Sequence, residues 1–142
     1  MTLNSEILIL FRTIEQGYQS RLSVLAKSAG LSALEGTILS FLHCNPGLES
    51  PSAMIHLLNL SKGDVSMAVA HLVSLGYLAK SKDEKDLRKS RLVLLEPAQK
   101  ISQEIDEMRE NYLEEILQGF SREEKQGLQN SLTRIYHNVS TH

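Results

Sequence analysis

With 142 residues, 42% of them hydrophobic and 23% charged, the chain fits one ordinary folded domain rather than a disordered segment. No apolar run reaches the roughly 20 residues of a membrane span, and no basic segment with a cleavage site opens the chain, so a cytoplasmic protein is expected. A single cysteine, Cys44, excludes an internal disulfide, and the net charge of −2 averages over two opposed stretches.

Those stretches are adjacent. Residues 76–100 hold seven cations against four anions, whereas 101–124 hold two cations against eight anions. The first can attract a polyanion that the second repels.

Helix starts are marked by serines. Periodic apolar residues predict a first helix over about 5–27, with Ile7, Leu10, Phe11, Ile14, Tyr18, Leu22 and Leu25 on one face and Gly17 as a weak point. Ser32 with Glu35 is a capping box that opens a second helix, Ala33 to about His43, which ends at Asn45-Pro46-Gly47. Ser50-Pro51 starts a short third helix to about residue 58, and Asn59 suits the left-handed stop. Ser61 with Asp64, a shorter version of the capping box, opens a fourth from Lys62 to Leu75, closed by Gly76. Tyr77–Ser81 and Ser90–Leu95 read as two strands joined by a charged tip. Glu96-Pro97 starts a long amphipathic helix on Ile101, Ile105, Met108, Tyr112, Ile116 and Phe120, with Glu96 as its cap. Ser121 with Glu124 starts the last helix, from Arg122 to about Val139, on Leu128, Leu132, Ile135 and Val139.

The unit 50–95 is therefore short helix, tight turn, second helix and β-hairpin. A turn as short as Asn59-Leu60-Ser61 suits a helix-turn-helix, whose second helix can lie in the major groove of double-stranded DNA. The hairpin becomes a wing. Its charges at 82–91 sit at a tip because a polyanion is their partner, while Leu92 and Leu94 anchor the returning strand. The plainer alternative is a solvated turn.

This order of elements, and particular residues, resemble the MarR family of winged helix-turn-helix transcriptional regulators. Leu60-Ser61, Val65-Ser66, Leu72, Leu75-Gly76-Tyr77-Leu78 and Lys80 look like that family's recognition helix running into the first wing strand. Asp86-Leu87-Arg88 stands where the family has its Asp-Arg-Arg wing signature. Leu87 replaces the first wing arginine, Leu95 a threonine and Ala98 a glycine, and Met67 stands where the recognition helix commonly carries arginine. The resemblance implies a mainly α fold with a small antiparallel β wing. It has an N-terminal dimerisation helix (1–31), a DNA-binding region (32–96) and C-terminal dimerisation helices (97–142). It implies a homodimer that represses a palindromic operator and is released by a small-molecule effector held near Tyr18, Arg21, Phe41 and His43. Three amphipathic helices also offer more apolar surface than one small winged domain covers, which supports a dimer over an intramolecular bundle.

Angular spacing assigns the faces of the fourth helix. Val65, Ala68, Val69 and Leu72 point inward, while Gly63, Met67, Ala70 and Ser74 face out beside Asp64, Ser66 and His71. Lys62 is its only Lys or Arg, so bidentate guanine readout by arginine is not available there. The expected DNA contacts are hydroxyls from Ser61 and Ser66, Met67 against a thymine methyl, His71 on a phosphate or base, and Lys62, Lys85, Arg88 and Lys89 on phosphates, with Asp86 bracing Arg88. Met67 as a filler between helices is the competing assignment.

Other chemistry finds little support. His43 and Cys44 are neighbours on a helix, pointing about 100° apart, so no metal site is expected. Cys44 ends its helix and reads as a buried structural thiol. No phosphate loop, nucleophile elbow or zincin motif occurs, and no cofactor is implied. Glu104, Asp106, Glu107, Glu110, Glu114 and Glu115 read as a solvated helix face, so an enzyme is not expected. Two alternatives to the regulator remain: a winged protein–protein interaction module using the cation-poor helix face, and a sensor that binds DNA in only one ligand state.

Overall fold

Capping serines set the element boundaries. The structure is a computed structural model that describes residues 2–82 and 90–141. Helix α1 runs Leu3–Ser28 and α2 Ala33–Cys44. Ser32 and Glu35 form the reciprocal box, Ser32 N–H donating to Glu35 Oε1 at 2.8 Å and Glu35 N–H to Ser32 Oγ at 3.1 Å. Helix α3, Pro51–Leu58, has Ser50 as cap with proline in the first turn, and Asn59 ends it in the left-handed region at φ 53°. Helix α4, Lys62–Ser74, opens with Ser61 Oγ accepting from Asp64 N–H, but the shorter Asp64 side chain does not complete the box. Gly76, at φ 79°, then lets Tyr77 N–H reach back to the Leu72 carbonyl.

Strands β1 (Leu78–Lys82) and β2 (Ser90–Leu94) form a two-stranded antiparallel sheet, pairing Leu78 with Leu94 and Lys82 with Ser90. Helix α5 is Glu96–Ile116 and α6 Arg122–Ser140, the latter with a complete box between Ser121 and Glu124. Glu96 is thus the first residue of α5 rather than its cap. Proline in the second position is compatible with the helix, and Ala98 N–H closes the first turn onto the Leu95 carbonyl.

The chain divides into two compact units, Met1–Arg109 and Glu110–His142. In the first, one core gathers Leu22 and Ala26 of α1, Ile38, Leu39 and Leu42 of α2, Met54 of α3, the inner face of α4, Leu78 and Leu92 of the strands, and Ala98, Ile101 and Ile105 of α5. Gly36 lets α2 approach α1 closely in it. A Cβ at that position would stand 3.2 Å from Leu22 Cδ1 and 3.4 Å from Ala26 Cβ. The second unit joins the end of α5 to α6 through a turn with Gly119 at φ 86°. Its apolar groove is lined by Leu113, Leu117, Leu128, Leu132 and Tyr136. No residue of α6 is buried, and Leu132 and Val139 are 43% and 71% exposed. Among the described residues no single helix is long and apolar enough to cross a membrane.

Candidate nucleic-acid interface

The turn from α3 to α4 is held by its own backbone: Leu60 N–H donates to the Ile55 carbonyl at 3.1 Å while Asn59 takes the left-handed step. Val65, Ala68, Val69 and Leu72 bury one face of α4 in the core. The other face is therefore fixed outward. Ser61, Lys62, Gly63, Ser66, Met67 and Ala70 are all exposed, and a Cβ at Gly63 would meet nothing within 4 Å. Met67, at 75% exposure, is not a filler between helices. The surface is open and short-chained, and a large rigid partner can approach its backbone closely.

His71 stands at the edge of that face and is committed on one side. Its Nδ1 pairs with Glu35 Oε2 of α2, the ring half-exposed at 49% and the carboxylate buried at 7%. Glu35 thus serves two helices, because its other oxygen caps α2 at Ser32. Burial alone would raise the Glu35 pKa. Hydrogen bonds from the Ser32 backbone and the His71 ring, with smaller help from the Ser32 hydroxyl and the His71 charge, outweigh burial and hold it below the ordinary glutamate range. Only Nε2 of His71 is left for a partner outside. Nothing in the local sequence of either residue predicts this pair, since they are 36 positions apart. Ser74 is likewise turned back, its hydroxyl donating to the His71 carbonyl at 2.6 Å.

The wing strands follow α4 directly. Leu92 is buried and Leu94 partly buried, as the strand anchors were expected to be. A tether missed in the sequence fixes the returning strand: Leu92 N–H donates to the Glu49 carbonyl at 2.9 Å, and Arg91 pairs with the Glu49 carboxylate at 3.3 Å. Arg91, counted among the tip cations, is thereby partly spent within the protein. Lys80 and Lys82 are exposed on β1. Lys85, Asp86, Arg88 and Lys89 lie outside the described residues.

A second constellation lies where α2 meets α5. Of the four expected effector-lining residues, Tyr18 and His43 converge on it. Phe41 instead packs against the core, and Arg21 donates to the Gly17 carbonyl of its own helix at 3.1 Å. His43 Nδ1 lies 2.6 Å from Asp106 Oδ2. Ser40 Oγ, Cys44 Sγ and Arg109 Nη2 approach the other oxygen, Oδ1, at 3.4, 3.2 and 3.2 Å. Arg109 also donates to Ser40 Oγ at 3.0 Å and to Cys44 Sγ at 3.3 Å. Three expectations change here. Cys44 is exposed rather than a buried thiol, because it is the last residue of α2. Asp106 leaves the solvated face and is half-buried among donors. His43 and Cys44, adjacent on the helix, both reach one carboxylate. Burial would lower the Arg109 pKa, but Cys44, Asp106 and Tyr18 raise it further above its ordinary value. Burial raises the Tyr18 phenol, and Arg109 beside it opposes that rise without cancelling it.

By sequence, residues 29–89 match the MarR family. Solved structures resemble nearly the whole chain. A MarR protein from Peptoclostridium difficile is 26% identical, with a TM-score of 0.84 over 99% of this chain and 91% of that one. A MarR family transcriptional regulator from Listeria monocytogenes, in complex with a 26mer DNA, gives 0.86 at 19% identity over 94% and 89%. The organohalide-sensing regulator RdhR in its 2,4-dichlorophenol-bound form gives 0.72 at 22% identity over 97% and 82%. No curated protein sequence matches the chain.

Proposed function

We propose that the chain, whose residues 29–89 match the MarR family, acts as a homodimeric DNA-binding transcriptional regulator, a repressor of a palindromic operator. The observation that carries this reading is the outward face of α4, open and short-chained at Gly63, Ser66 and Ala70, with exposed Lys80 and Lys82 on the strand that follows. Ser61, Ser66, Met67 and the free Nε2 of His71 read the groove. Lys62 and the wing residues Lys85, Arg88 and Lys89 hold phosphates, with Asp86 bracing Arg88. The Listeria relative in complex with DNA supports the assignment.

Residues 1–31 and 97–142 form the dimer interface in this reading, and 32–96 the DNA-binding region. Its support is apolar surface left open in each unit: Leu8, Ile9, Leu10 and Ile14 on α1, and Leu128, Leu132, Ile135, Tyr136 and Val139 on α6. A small effector held near Tyr18 and His43 releases the operator. The dichlorophenol-bound relative is consistent with that.

One observation favours a second reading. Lys62 is the only Lys or Arg of α4, which suits a module that docks on protein rather than DNA. A gel-shift titration with genomic fragments recovered on the protein separates the two, run at two salt concentrations. Binding that weakens steeply with salt supports the regulator. No binding at low salt overturns it in favour of the interaction module.

A further inference from the structure

The corner where α2 meets α5, beside which the proposed effector is placed, carries a donor set that contact with DNA does not use. His43, Cys44 and Asp106 each offer one ligand atom, and these atoms all lie within 4.8 Å of one another. We propose that His43 Nδ1, Cys44 Sγ and Asp106 Oδ2 bind a borderline-soft divalent ion of the zinc type, with a fourth position open to solvent.

The argument starts from the two oxygens of Asp106. Among the described residues, Oδ1 is approached by Ser40, Cys44 and Arg109, whereas Oδ2 is paired with the ring nitrogen of His43, at 2.6 Å. That contact joins two of the three donors across a single hydrogen. Donors around one tetrahedral zinc lie roughly 3.5 Å apart, each about 2.0–2.3 Å from the metal. The His43–Asp106 pair has to open by less than the length of one bond to admit the ion.

Arg109 does not occupy the ligand position. It donates to Oδ1, to the Ser40 hydroxyl and to the sulfur, the places where hydrogen bonds orient a ligating carboxylate and neutralise a ligating thiolate. With the thiol ionised, one imidazole, one thiolate, one carboxylate and one guanidinium bring a net −1 to a divalent cation. A nitrogen–sulfur–oxygen set of this kind selects zinc or cobalt over magnesium or calcium, which take oxygen shells. Cys44 is exposed and the His43 and Asp106 side chains are 27% and 22% exposed, so an ion enters without unfolding. On binding, the Cys44 S–H bond breaks, its proton goes to solvent and the electron pair forms the sulfur–metal bond.

Cobalt(II) titration of the full chain under anaerobic, reducing conditions tests this without reference to DNA. The expected result is a near-ultraviolet sulfur-to-cobalt charge-transfer band that saturates at one ion per chain and is erased by an equivalent of zinc. Cys44→Ser abolishes the band, His43→Gln and Asp106→Asn weaken binding at least tenfold, and Arg109→Gln weakens it about tenfold through its outer-shell contacts. Far-ultraviolet circular dichroism on each variant separates lost ligation from lost fold. Because His43 is at the surface of the corner, His43→Gln is informative even where Asp106→Asn unfolds. No charge-transfer band at stoichiometric cobalt overturns the site. So does a band equally strong in folded His43→Gln, which means a lone thiolate.

Discussion

Glu35 is the buried charge on which two helices depend, and replacing it with glutamine isolates that charge at nearly constant shape. Glutamine keeps an oxygen for Ser32 N–H, so the cap of α2 survives in weaker form, while the partner of His71 Nδ1 becomes neutral. Hydrogen bonds to a charged group are worth about 1.5–3 kcal/mol against about 1 kcal/mol for neutral ones. Losing that difference at Ser32 and at His71 gives a destabilisation of about 2 kcal/mol, or about 6 °C in Tm for a chain of this size. The pH dependence follows from the direction of the shift. The Glu35 pKa is depressed in the fold, so its contribution is present above the unfolded value of about 4.3 and disappears as pH falls through the folded value. Urea unfolding of wild type and Glu35→Gln, at one protein concentration because association adds to apparent stability, measures the gap at pH 7 and in acid. A gap below about 0.5 kcal/mol at pH 7, or one that stays constant as Glu35 protonates, refutes the two-helix role.

Arg88→Ala is expected to weaken binding to all DNA sequences alike and to flatten the salt dependence by about one unit, since a phosphate contact releases about one counterion. Loss of preference at one base pair with an unchanged salt slope contradicts that role. Leu132→Glu places a charge in the exposed stripe of α6 and is expected to convert a dimer to a monomer by analytical ultracentrifugation. An unchanged mass means α6 lies outside the interface. Gly36→Val forces side-chain bulk against fully buried Leu22 and is expected to cost at least about 2 kcal/mol in urea unfolding, with a neutral result showing that the core yields there.

Most of the architecture was legible because it is written in local terms. The serine caps at 32, 50, 61 and 121 each accept from the backbone N–H three residues on, and the inner face of α4 followed from spacing alone. What escaped depends on distance along the chain. Glu35 with His71, Glu49 with Arg91, and Asp106 with His43 are pairs separated by 36, 42 and 63 positions, and no periodicity encodes them. Cys44 misled for a different reason. Its place at a helix end is legible but does not fix its burial, because a terminal turn points a side chain outward as readily as inward. Met67 was ambiguous in sequence because methionine suits both cores and surfaces.

Helix α2 behaves as a strut. Its twelve residues span about 18 Å, with Glu35 paired to His71 of α4 near one end and Cys44 seated against Asp106 of α5 at the other. A helix is stiff along its axis, so a displacement at the Cys44 end is expected to move Glu35, and with it the His71 ring. Two polar clusters that share no atoms are thereby held at a set spacing by one helix.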